Sequence, residues 1–282
     1  MAPVPGSGVP EVLAPYVSAV VPYDLDMGAP GVHRGMPGTG LTFELPLGEP
    51  IDVSWTGRDD TRRRAWSCVS GLHTRPAAIH HDGHQRGISL SLTLRGARAL
   101  LGVPAGELAG ELTSLAEVAP HLAHLPEMLA DSPDGATVVR ALVERLARAG
   151  EPGPRADVGR ALARIAGGSQ VHRVAAEQGW SRRHLQDLVR AECGLTPRDL
   201  RRVARLARSR RALVVAARSG RVTLADVAAA AGYADHAHMT REWVALGGCT
   251  PSTWLREELP FVQDVADPSG ASWETPDRGG ER

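Results

Sequence analysis

The sequence predicts an α+β chain. A β-rich, cupin-like domain is expected over residues 1–104, a helical linker over 105–154, an all-α domain over 155–259 and a disordered tail over 260–282. Three observations predict this. "GLTFELPL" and "GISLSLTL" alternate apolar with polar residues, the period of a half-buried strand. Beyond residue 105 the apolar period becomes helical. After the linker candidate "GEPGPRAD" the chain repeats a helix–turn–helix punctuation.

In chain order, residues 1–10 are rich in Pro and Gly and are expected to fray. Short apolar runs broken by Gly and Pro follow, to about residue 100. In one of them Ile88, Leu90, Leu92 and Leu94 share one face and Ser89, Ser91 and Thr93 the other. "GARALLGVP" reads as a short helix, and Leu142, Val143 and Leu146 form a helical stripe. No apolar run approaches the ~18–20 residues that span a bilayer, and the N-terminus lacks the pattern of a leader, so a cytoplasmic chain is expected. Cys68, Cys193 and Cys249 are odd in number and far apart, which argues against a disulfide framework. Net charge is zero, yet Arg155 to Glu258 holds eighteen Arg against ten acids, about +8. That asymmetry points to a polyanion partner.

The repeat aligns Val174 with Val227 and, with one residue inserted near Ala234, Pro197 with Pro251. Matched pairs include Gly179 with Gly232, Trp180 with Tyr233, Ser181 with Asp235, His184 with His238 and Thr196 with Thr250. Each copy closes a short helix on Gly, which suits a tight left-handed turn. Ser181 or Asp235 then stands at a helix N-cap. The helix that follows carries Leu185, Leu188 and Val189, or Met239, Trp243 and Leu246, at helical spacing. This is helix-turn-helix punctuation, found twice. A helix from Pro197 to about Arg218 joins the copies, and its 22 residues span roughly 33 Å. That is close to the ~34 Å between groove sites one turn apart on DNA.

The stretch "LADVAAAAGYADHAHMTREWVALGGCTPSTW", with "SRRHLQDLVRAECGLTP" before it, resembles the double helix-turn-helix domain of the AraC/XylS family of transcription regulators. "HRGMPGTGLTFELPL" and "SGLHTRPAAIHHDGHQRGISLSLTLRGARALLGVP" resemble, less specifically, the sensor half of actinobacterial-type members. The resemblance implies a sequence-specific DNA-binding transcriptional regulator, each second helix entering a major groove. It implies Arg182, Arg183, Gln186 and Asp187 in copy one, and His236, Ala237, Thr240 and Arg241 in copy two, as DNA-binding residues. Arg suits guanine, Gln adenine, and Thr a thymine methyl; Asp187 stands where a basic residue is frequent. The expected partner is double-stranded promoter or operator DNA. A small-molecule effector, RNA polymerase and a second copy of the chain are further candidates, and a membrane is not.

His236, His238 and Cys249 lie close in sequence but do not read as a zinc site. The two His are two apart on a helix and point about 200° apart, whereas helical zinc pairs stand at i, i+4. Cys249 aligns with Leu195, a small apolar filler. "HTRPAAIHHDGHQR", with His73, His80, His81 and His84, reads as a solvated loop, with ligand contact or metal as alternatives. Arg201, Arg202, Arg205, Arg208, Arg210 and Arg211 read as a solvated helix face or as phosphate contacts. His184 and His238 read as scaffold; Trp180, Tyr233, Trp243 and Trp254 read as core. No cofactor fingerprint, catalytic motif or metal set is present, and Cys68 lacks the neighbouring His that a repair alkyltransferase needs. Two rivals stay open: a DNA-repair enzyme carrying this domain as an appendage, and a ligand-binding protein with weakened DNA affinity.

Overall fold

The computed structural model describes residues 9–131, 134–148 and 156–259. The frayed start is described only from residue 9; most of the linker candidate and all of the tail lie outside the described residues. Nine strands come first: β1 (Val17–Asp26), β2 (Gly31–Gly35), β3 (Leu41–Pro46), β4 (Ile51–Trp55), β5 (Arg58–Ala65), β6 (Cys68–Ser70), β7 (Ala77–His81), β8 (His84–Leu92) and, later, β9 (Leu112–Thr113). They form two antiparallel sheets, in the orders β1-β8-β3-β6-β9 and β2-β7-β4-β5. The five-stranded sheet therefore runs past residue 104, because β9 pairs with β6.

The period-two reading of β8 holds. Ile88, Leu90 and Leu92 are buried in one core with Leu41, Phe43 and Leu45 of β3. Short helices cover that face. These are α1 (Leu94–Gly96), which continues as a π turn to Leu101, α2 (Leu115–Val118), α3 (Leu125–Asp131) and α4 (Gly135–Arg148). The histidine-rich stretch is not the expected solvated loop. It forms β7, a turn at Asp82–Gly83 and the start of β8. His73, at its start, is half-buried against Trp55 with ring centroids 4.6 Å apart, and desolvation pushes its pKa down to about 4.

Among the described residues seven helices follow residue 155: α5 (Ala156–Ala166), α6 (Val171–Glu177), α7 (Arg182–Cys193), α8 (Pro197–Arg218), α9 (Leu224–Ala231), α10 (His236–Gly247) and α11 (Pro251–Glu258). The first helix-turn-helix, α6–α7, does not have a core of its own. Leu185, Val189 and Cys193 share a single cluster with the five-stranded sheet and α1–α4. The second, α9–α10, has a separate core around Trp243, Tyr233 and Trp254. Among the described residues no helix is long and apolar enough to cross a membrane.

Candidate nucleic-acid interface

The two helix-turn-helix units are built alike, down to single hydrogen bonds. Gly179 (φ 67°) and Gly232 (φ 81°) make the turns in the left-handed region that only glycine adopts at little cost. Ser181 Oγ accepts from the His184 backbone N–H at 3.1 Å, and Asp235 Oδ1 accepts from that of His238 at 2.6 Å. Each N-cap satisfies one of the orphan donors at a helix start. The aligned histidines have one job. His184 stands edge-on to Trp180 (5.7 Å, 90°) and His238 edge-on to Tyr233 (5.3 Å, 88°), each locking its turn to its helix. The two Thr-Pro steps also match: Thr196 and Thr250 cap α8 and α11, each with proline in the first turn.

This geometry turns the N-terminal faces of α7 and α10 outward. Arg182, Arg183, Gln186 and Asp187 are exposed on α7; His236, Ala237 and Arg241 are exposed on α10. Thr240 is half-buried, and its hydroxyl donates to the His236 carbonyl at 2.9 Å, which leaves the methyl as its outward chemistry. Leu185 and Val189 on α7, and Met239 and Trp243 on α10, anchor the opposite faces.

Three of the α8 arginines are engaged within the protein rather than on a solvated face. Arg202 and Arg205 clasp Glu242 of α10, with Nε–Oε1 3.2 Å and Nη2–Oε1 2.6 Å respectively. Arg205 also lies over the Tyr233 ring at 4.9 Å. Arg208 donates to the carbonyls of Ala166 (2.6 Å) and Ala231 (3.4 Å), the C-terminal ends of α5 and α9. There a cation meets unsatisfied carbonyls and the negative end of each helix dipole. Burial lowers the Arg208 pKa. One helix thus ties α5 to both helices of the second reading unit. Sequence reasoning missed Glu242; the available signal was a carboxylate on the core face of α10, beside Met239 and Trp243.

The candidate metal ligands have separate surroundings. His236 is exposed, His238 packs on Tyr233, and Cys249 lies in the second core. No cluster of three or more metal-ligating side chains occurs among the described residues. Burial pushes the thiols of Cys68 and Cys193 up to about 12, so neither is a ready nucleophile.

A cavity of about 430 Å³ opens between the N-terminal sheets and the end of α8. Its sheet wall is the polar face of the alternation, with Thr42, Glu44, Ser89 and Ser91. Its helix wall carries Arg210, Arg211 and Arg218 beside Val214 and Val215. At its rim the Arg34 backbone N–H donates to the buried Glu258 of α11 at 2.9 Å, and His33 Nδ1 lies 3.2 Å from the other oxygen of that carboxylate. Edge strand β2 is thereby covered by the second reading unit.

Residues 174–257 match a family model described as a helix-turn-helix domain. No curated protein matches the chain in sequence. Among solved structures the chain is similar to ToxT from Vibrio cholerae. Its apo K231A form matches with a TM-score of 0.53 at 12% identity, covering 85% of this chain and 97% of that one. A second crystal form gives 0.52 at 10% identity, covering 84% and 97%. Wild-type ToxT bound to an unsaturated fatty acid gives 0.50 at 11% identity, covering 89% and 97%. At these identities the likeness establishes the shared fold. Residues 174–257 are thus similar in sequence to a helix-turn-helix domain, and most of the chain is similar in fold to ToxT.

Proposed function

We propose that the chain is a sequence-specific DNA-binding transcription regulator in which α7 and α10 read adjacent major grooves. The observation that carries this is the duplicated, outward-facing pair of capped helices held on one 22-residue helix. Arg182, Arg183, Gln186 and Asp187 are the base-reading candidates on α7. His236, Ala237, Thr240 and Arg241 are those on α10. Asp187 accepts from cytosine N4 in this reading. Regulation of transcription places the chain with the chromosome in the cytoplasm, with RNA polymerase or a second copy as further partners, and needs no catalysis. The test is selection from random double-stranded DNA, followed by gel shift. Enrichment of a two-part site supports the reading, and an absence of enrichment rejects it.

A second reading concerns the cavity. Four arginines line it with apolar side chains between them, which suits an amphipathic carboxylate. ToxT has been solved with an unsaturated fatty acid bound. The ligand of this chain would bridge the sheets and α8, and so bias the position of the second reading unit, whose core is separate. Calorimetry with carboxylate ligands tests this, with a change in operator affinity as the second readout.

A further inference from the structure

The sheet wall of the cavity carries a carboxyl that the arginine-lined helix wall does not explain. Glu44 on β3 lies opposite Ser89 of β8 on one side and Cys68 of β6 on the other. Ser89 Oγ donates to Glu44 Oε1 at 2.6 Å, and the Tyr23 hydroxyl of β1 stands near enough to influence the carboxyl. Tyr23 reaches Glu44 across Gly87 of β8, where a Cβ would come within 2.6 Å of the phenol oxygen. The position is therefore built, with one strand left bare so that a side chain from the next can cross it. The hydrogen-bond donor to Glu44 is thus a hydroxyl, and no salt bridge to Glu44 occurs among the described residues. Burial pushes the carboxyl up to about 7, opposed by the two hydroxyls. Nearby, Thr39 lines the same cavity at 2% exposure, and its hydroxyl has no hydrogen-bond partner. A plain hydrocarbon in this space would leave the Thr39 hydroxyl unmet and give the Glu44 carboxyl no cation, and an unsatisfied buried polar group carries a cost.

We propose that the sheet wall of the cavity recognises an amine on the ligand through Glu44, so that the effector is an aliphatic amino-carboxylate rather than a plain fatty acid. This rests on the effector reading of the cavity. The ligand's acid group faces the arginines of α8, and its ammonium donates to the Glu44 carboxylate, with Thr39 and Ser89 as further hydrogen-bonding groups. A half-buried carboxyl that gains a cation exchanges its proton for a charge-assisted hydrogen bond, and the proton leaves to solvent. Tyr23, Cys68 and the helix-wall arginines are the titratable or charged groups facing this point.

Isothermal titration of the full chain with octanoate, dodecanoate, 8-aminooctanoate and 12-aminododecanoate tests the assignment. For at least one chain length the amino acid is expected to bind about tenfold tighter than its plain parent, the effect of one charge-assisted hydrogen bond. Glu44→Gln keeps the shape and removes the charge; it is expected to abolish the preference of the amino acid over its plain parent. Near pH 7 the amino acids should also release a proton, read as buffer-dependent heat, which tests the wild-type chain without any variant. Equal or tighter binding of the plain acids at both lengths, no proton release, or a preference that survives Glu44→Gln overturns the assignment and leaves the effector cavity standing. Binding of none of the four overturns both.

Discussion

Arg205 of α8 and Glu242 of α10 form an ion pair 2.6 Å apart at the joint between the central helix and the second reading helix. Arg202 adds a second guanidinium to the same carboxylate, whose side chain is 10% exposed. Removing the acid leaves two cations half-buried beside the Trp243 core. Glu242→Ala is expected to destabilise the chain by about 3 kcal/mol, as when one partner of a buried pair is lost. Urea unfolding measures this. A loss below about 0.5 kcal/mol would show that solvent already screens the pair.

The matched N-caps make a second expectation. Ser181→Ala removes the acceptor for the His184 N–H and is expected to cost about 1 kcal/mol. Asp235 caps α10 with a charge, and the backbone N–H of His238 holds its pKa below the usual carboxylate range. A depressed carboxylate stabilises the fold above its unfolded pKa, and the contribution is lost as pH falls through the folded one. The stability gap between wild type and Asp235→Ala should therefore be full at neutral pH and close in acid below the ordinary Asp range. A gap that widens in acid would refute the charged cap.

Glu44 has the opposite sign. Its folded pKa of about 7 exceeds the ordinary 4.5, so the fold favours the protonated form. Its stabilising contribution is complete below about pH 4.5 and is lost as pH rises to about 7. Glu44→Gln, which cannot ionise, should gain stability relative to wild type across that window. Chemical denaturation at several pH values reads the crossover, and parallel profiles for the two proteins would contradict it.

Arg241 tests whether α10 reads bases. Arg241→Ala is expected to weaken specific binding by about 1–3 kcal/mol and to relax preference at one base pair. Equal loss across all sequences would instead assign Arg241 to a phosphate.

The repeat was legible because its signals are local: a left-handed Gly, an N-cap three residues before the N–H it receives, a Thr-Pro start. Each states its own geometry within a few residues. The α8 arginines were not legible in this way. Glu242 lies 37 residues beyond Arg205, and Ala166 lies 42 before Arg208, so sequence alone shows a charge run without partners. The histidine hairpin was hidden for a related reason, since strand β7 is set by pairing with β2 and β4 rather than by its own pattern. The alternation in β8 predicted two faces, but not that the serine face lines a cavity. Nor did the helical repeat reveal that the first reading unit shares its core with the sheet while the second does not.

The central claim is that both reading helices hold one DNA face at a spacing fixed by α8. Its 22 residues give roughly 33 Å, against ~34 Å for one turn of DNA. The direct measurement is affinity for the selected two-part site with about 5 or 10 base pairs inserted between its halves, after a Gln186 variant has shown that the first head contributes. Five base pairs rotate the halves by about half a turn, and ten restore the face but add ~34 Å. Arg202, Arg205 and Arg208 hold α5, α9 and α10 to α8, so the pair of heads should follow neither change. Loss of specific affinity with both insertions is the predicted result; full affinity with the ten-base-pair insertion would contradict it.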